Sequence, residues 1–285
     1  MWHAVVRDGT LSSEDAATDV PWWSFTKTVI AAAALALVRD GRLALDKALP
    51  GGYTPRQLLQ HRAGLCDYGP LADYHAAVAR NEDAWSTGEL LQRANARRLI
   101  YPPGTGWTYS NIGYLFVRRL IEGATGEGLG AALDRLVLQP LDIAHARFAA
   151  TRTDLDGVAG MRGYDPRWVY HGLLVGPLAD AALLLHRLMA GKLLPPDLMS
   201  AMCTRHPLDV PTAGRPWLAP GYGLGLMTGG IAGGGTVAGH TGGGPGCVVA
   251  IYHALSGPHA RTAATFLPGD DQGAVERGCF ALLRN

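Results

Sequence analysis

Lysine is nearly missing from this 285-residue chain: Lys27, Lys47 and Lys192 are the three, set against 22 arginines. Serine is scarce as well, with seven, while glycine reaches 38. An excess of one charge is also missing. The 25 basic and 24 acidic residues leave a net +1 without any basic block, which excludes an electrostatic nucleic-acid binder. The four cysteines, at 66, 203, 247 and 279, form no Cys-x-x-Cys pair. Their spacing gives neither a zinc site nor a disulfide framework, so small buried thiols are expected. Long apolar runs are absent too. The longest, residues 29–38, is about half of what spans a bilayer, so no membrane partner is expected. The first eight residues show no basic region followed by an apolar one, so no secretory signal is read and a cytoplasmic location is expected. A hydrophobic content of 48% with 17% charge excludes disorder over most of the chain. The length suits one large domain or two interlocked lobes.

Residues 2–11 mix apolar and polar residues around Asp8-Gly9, as a short strand or hairpin does. Residues 24–39 give the clearest helix, with Ser24 at the cap or first turn and Asp40-Gly41 as its stop. Its stretch from Val29 to Val38 is apolar on every side, which predicts a helix buried all round. From about 55 to 200 the pattern is helical segments broken by loops: 55–61, 111–122, 129–138 and 178–190. After 215 the character changes. Ten glycines fall between 229 and 246, then two strand patterns, 247–252 and 261–267, flank a Ser256-Gly257-Pro258 turn, and 273–283 closes as a helix. Strands near both ends can join one antiparallel sheet with the middle inserted. This predicts an α+β fold: residues 1–60 with 205–285 as an α/β lobe, 61–204 as a helical lobe, and a cleft between them.

Three motifs carry chemistry. In Ser24-Phe25-Thr26-Lys27, serine and lysine lie one helical turn apart on one face. A buried lysine at a helix N-terminus is driven toward the neutral amine, which can take the serine proton. Tyr109-Ser110-Asn111 follows a Pro/Gly loop and opens a helix. A tyrosine beside that lysine can be held as phenolate or shuttle a proton, and the Asn amide offers a donor and an acceptor. His240-Thr241-Gly242-Gly243 sits in the Gly-rich stretch, where glycines let a substrate lie against a strand edge and leave main-chain N–H groups for an oxyanion. No serine lies in Gly-x-Ser-x-Gly, which argues against an α/β-hydrolase triad.

In this order the motifs resemble those of the serine β-lactamase and penicillin-binding-protein superfamily, in its class C β-lactamase-like branch. That branch includes class C lactamases, D-alanyl carboxypeptidases, D-aminopeptidases and family VIII esterases. Leu58-Leu59-Gln60-His61-Arg62-Ala63-Gly64-Leu65, the stretch from Pro103-Gly104-Thr105 to Gly113-Tyr114, and Gly221-Tyr222-Gly223-Leu224-Gly225 extend the likeness over residues 20–255. The resemblance implies a β-lactamase/transpeptidase-like fold, in which an antiparallel sheet flanked by helices is built from both chain ends around an inserted all-helical lobe. It implies Ser24 as nucleophile, Lys27 and Tyr109 sharing acid–base work, and Asn111, His240, Thr241, Gly242 and Gly243 as substrate-binding residues. The main-chain N–H groups of Ser24 and Gly243 would form the oxyanion hole, His61 would be structural, and no metal or cofactor would be needed. Trp22, Trp23, Trp107, Trp168 and Tyr222 are candidates to line the cleft. His240 stands where class C lactamases carry lysine, and a mostly neutral imidazole grips a substrate carboxylate less firmly. The expected activity is therefore hydrolysis of small esters or D-amino-acid amides and peptides through an acyl-enzyme on Ser24, with slow acylation by β-lactams as a side activity. The alternatives are a class C-type β-lactamase or penicillin-binding DD-peptidase, and a non-catalytic binder or sensor.

Overall fold

The computed structural model describes residues 1–14 and 18–284. The chain opens with β1 (Trp2–Arg7), β2 (Thr10–Glu14) and β3 (Asp19–Pro21), then the central helix α1 (Thr26–Arg39). The middle holds α2 (Pro55–Leu59), α3 (Ala72–Ala79), α4 (Thr87–Arg93), α5 (Asn111–Thr125), α6 (Leu129–Leu133), β4 (Arg147–Ala149), β5 (Leu173–Pro177), α7 (Leu178–Met189) and α8 (Pro196–Cys203). The last third adds β6 (His206–Pro207), β7 (Trp217–Tyr222), β8 (Met227–Ile231), β9 (Thr236–Gly244), β10 (Cys247–Ala254), β11 (Arg261–Pro268) and α9 (Gln272–Arg284).

Both chain ends build one antiparallel sheet of eight strands, ordered β2-β1-β11-β10-β9-β8-β7-β6. The seam is β1 against β11, from Trp2 opposite Phe266 to Arg7 opposite Arg261. Side chains of β10 alternate between two cores, as the pleat requires. Val248, Ala250 and Tyr252 meet Val275, Cys279 and Phe280 of α9. Val249 and Ile251 belong to the larger core that holds α1 and α7. Helix α1 is buried from Thr26 to Leu37, as its lack of a polar face predicts.

Three local outcomes differ from the sequence reading. Helix α1 begins at Thr26, and Ser24 lies in a preceding 3-10 turn, Trp23–Phe25. The inserted segment also carries β4 and β5, which join β3 in a three-stranded sheet, and its helix α7 lies against β1, β10 and β11. The helix expected over 129–138 is α6 followed by a wider π-helical turn at Asp134–Leu138. All four cysteines are free; Cys247 and Cys279 are buried, whereas Cys66 and Cys203 are only partly buried. Among the described residues no helix is long and apolar enough to cross a membrane.

Candidate active site

Ser24 sits at the entry to α1, and the turn that holds it is strained. Trp23 has φ +42°, a left-handed conformation unfavourable for a bulky side chain. Its indole N–H reaches Cys247 Sγ at 3.3 Å and its ring meets Tyr164 edge-on. No side chain caps the turn or the helix, which leaves the Ser24 hydroxyl for other partners. Lys27 Nζ donates to Ser24 Oγ at 3.1 Å, and the Tyr109 hydroxyl donates to the same oxygen at 2.9 Å. The three motif residues therefore meet on one atom.

Lys27 is fully buried. Burial pulls its ammonium down to about 7, against the opposing field of Asp67. Burial moves the Tyr109 phenol the other way, upward, so of the two roles left open by the sequence it is the protonated phenol that faces Ser24. The Tyr109 ring lies 4.3 Å from that of His61, between centroids. His61 is buried and its Nδ1 accepts from the Ser110 N–H at 3.1 Å, which makes it a support under Tyr109 with no direct bond to Ser24.

Asn111 is not the cap of α5. Ser110 caps it, accepting from the Gly113 N–H at 3.0 Å. The Asn111 N–H and Nδ2 both donate to Asp67, at 2.8 and 3.1 Å, which leaves Oδ1 and one amide hydrogen toward the cleft. Asp67 carried no signal in the reading of motifs.

A cleft of about 370 Å³ in front of Ser24 is lined by Tyr109, Asn111, His240, Thr241 and Gly243. Strand β9 forms one wall. Its pairing with β8 stops at Gly239, so residues 240–244 keep an open edge on that side. Gly242 does not line this cleft; a Cβ there would stand 2.6 Å from both Ser24 N and Trp23 Cβ. His240 and Thr241 spend their polar groups inward. His240 Nδ1–H donates to the Thr241 carbonyl at 2.7 Å, so Nε2 accepts from the Tyr222 hydroxyl at 2.9 Å. Burial and the nearby Lys27 push the imidazole down to about 3, so it is neutral. The Thr241 hydroxyl donates to buried Glu276 at 2.5 Å. Arg215, which lines the cleft, is held by Glu276 through Nε at 2.9 Å and through Nη2.

Of the expected aromatic lining, Trp107 and Tyr222 face this cleft, and Trp23 faces a second cavity of about 510 Å³ on the far side of Ser24. Trp22 and Trp168 do not line either. Their indole N–H groups donate to Gly176 O and Glu82 O, away from both cavities. The sequence reading missed Asp67, His171, Arg215 and Glu276, which the fold brings in from distant segments.

Compared with known proteins, a family model described as Beta-lactamase matches residues 3–266. The chain is 31% identical over 153 residues to esterase EstB of Burkholderia gladioli, covering 46% of this chain and 38% of that protein. It is 32% identical over 117 residues to a D-aminopeptidase of Cereibacter sphaeroides, covering 39% of this chain and 22% of that protein. The matched region thus spans well under half of either relative. Among solved structures, a D-stereospecific amidohydrolase from Streptomyces sp. superposes with a TM-score of 0.78 at 24% identity, over 96% of this chain and 92% of that one.

Proposed function

The chain belongs to the Beta-lactamase family, with an esterase and a D-aminopeptidase among its hydrolase relatives, and from that premise we propose a serine hydrolase that forms an acyl-enzyme on Ser24 and cleaves small esters or D-amino-acid amides. The observation that carries the reading is Ser24 Oγ, held between Lys27 Nζ at 3.1 Å and the Tyr109 hydroxyl at 2.9 Å. A nucleophile with a base on one side and an acid on the other is equipped for acyl transfer. In acylation, Ser24 Oγ bonds to the acyl carbon as its proton passes to the Lys27 amine. The carbonyl oxygen becomes an oxyanion, for which the main-chain N–H groups of Ser24 and Gly243 are the donors. Collapse breaks the bond to the leaving group, which takes the Tyr109 proton, and the Lys27 ammonium restores it. Water then repeats the sequence on the acyl-enzyme.

The far end of the cleft supports neutral esters and amides over penicillins or peptides with a free carboxylate. His240 is uncharged with both ring nitrogens bonded, the Thr241 hydroxyl is given to Glu276, and the Arg215 charge is balanced by the same carboxylate. A turnover panel of a short-chain nitrophenyl ester, D-amino-acid amides and nitrocefin tests the proposal. Ester or amide turnover should exceed that of nitrocefin by about 100-fold, and Ser24→Ala should lose about 10⁴-fold in kcat/KM. Unchanged hydrolysis by Ser24→Ala would sink the reading. Absence of any fluorophosphonate adduct on Ser24 would favour a binder.

A further inference from the structure

We propose that His171 is a positioning residue for Lys27, an uncharged acceptor that holds the amine so that its lone pair faces Ser24 Oγ; this rests on the serine-hydrolase reading above. His171 Nε2 lies 3.1 Å from Lys27 Nζ, with both side chains buried. The two are 144 residues apart in sequence. The turn that leads into β5 carries His171 to the helix. Leu174 of β5 accepts from the Trp22 N–H at 2.9 Å and donates to Thr26 Oγ1 at 3.1 Å, which ties the strand to both flanks of the Ser24 turn.

Around Nζ the other neighbours are the Tyr109 and Tyr114 rings, at 5.0 and 5.7 Å from their centroids. No carboxylate lies within ion-pair distance of Lys27 among the described residues. The fields that reach this corner are those of Asp67, which favours the ammonium, of the buried rings His61 and His240, and of Arg118 beside His171. Burial holds all three imidazoles well toward the neutral form.

A neutral amine has two hydrogens and one lone pair, an ammonium three hydrogens. With an unprotonated Nε2 as acceptor, Lys27 keeps the same N–H···N bond in both states, and only the hydrogen shared with Ser24 changes hands. The His171 proton then sits on Nδ1, a buried atom with no hydrogen-bond partner. A carboxylate at 171 would instead fix Lys27 as a cation by Coulomb attraction. An apolar residue would leave the amine with no acceptor to orient it.

With three lysines in the chain, ¹³Cε NMR of labelled lysine resolves Lys27 directly. The test follows that titration, and the pH profile of ester kcat/KM, in wild type, His171→Gln, His171→Asp and His171→Leu, with thermal melts as a check on folding. His171→Gln keeps a neutral acceptor and should stay within about threefold of wild type in kcat. His171→Leu should lose about 10- to 100-fold in kcat with KM nearly unchanged. His171→Asp should move both the Lys27 titration and the acid limb of activity upward by about one pH unit or more. A merely structural role would lower the melting temperature of His171→Leu while leaving its kcat at the wild-type value. Unmoved midpoints in the Asp variant, or wild-type kcat in the Leu variant, would overturn the proposal. If the Asp variant does not fold, the contrast between Gln and Leu decides it. A Lys27 titration that responds to residue 171 without any ester or amide turnover would instead sink the serine-hydrolase reading while leaving the Lys27–His171 coupling standing.

Discussion

Lys27 combines a functional demand with a thermodynamic cost. In the proposed mechanism the Ser24 proton goes to an amine that must be free at working pH, and burial is what frees it. Below its titration near 7 the base is blocked, so ester kcat/KM should rise about tenfold per pH unit on the acid side and level off above it. Burial also raises the Tyr109 phenol, so no alkaline loss is expected before the upper end of the accessible range. The same depression makes Lys27 destabilising. The unfolded chain holds this proton up to about 10.5, while the folded chain releases it near 7, so the unfolded state binds more protons between those values. The penalty is complete below pH 7 and vanishes as pH rises through that window. Lys27→Met should therefore abolish turnover yet raise Tm by several degrees at pH 6, with the gain shrinking toward pH 10. A Tm gain independent of pH would contradict this account. Ser24, Lys27 and Tyr109 were legible because the chemistry sits in short motifs. Asp67, His171, Arg215 and Glu276 were not, since each reaches the site only through tertiary packing.

At the scale of elements, Ser24, the proposed nucleophile, is positioned by a strained turn pressed against a glycine strand. The buried helix α1 was readable from its unbroken apolar run, and the hairpins near both ends from their turn residues. The sheet of β3, β5 and β4 was not, because two of its strands are three residues long and carry no alternation. The placement of Ser24 in a 3-10 turn, and not within α1, also lay beyond periodicity: the strain resides in a single φ at Trp23. Gly242 is the contact between the two elements. An alanine there would put Cβ 2.6 Å from Ser24 N, where backbone has to move. Gly242→Ala is expected to cost about 1–3 kcal/mol of stability, as overpacking does, and to lower kcat/KM by about 10- to 100-fold through displacement of Ser24. Gly243→Ala is the control for stability, because its Cβ would meet the Val248 side chain at 3.1 Å and no backbone. Equal thermal melts for the two variants would refute the close-approach argument.

The whole molecule closes on itself through its last helix. β1 from the start of the chain pairs with β11 near its end, and α9 covers one face of the sheet they share. From α9, Glu276 reaches Thr241, whose side chain lies on the α9 face of β9 beside Tyr252, and Arg215 at the mouth of the cleft. A residue from the final turns of the chain thus balances the charge of Arg215 in the cleft that opens in front of Ser24. Glu276 is fully buried, and removing its charge leaves Arg215 as an unbalanced cation. Glu276→Gln keeps the shape and offers Thr241 an acceptor still. The variant should lose about 1–3 kcal/mol of stability, less than a wholly buried pair because Arg215 is partly exposed. Its selectivity should shift as well. For D-alanyl-D-alanine against its C-terminal amide, the ratio of kcat/KM should move toward the free acid by about 5- to 50-fold, since charge-assisted bonds to a carboxylate become available. The shift should fade in high salt, because a partly exposed guanidinium is screened. An unchanged acid-to-amide ratio in a folded Glu276→Gln variant would mean that Arg215 does not meet the leaving group, and that the preference for neutral substrates arises at His240 alone.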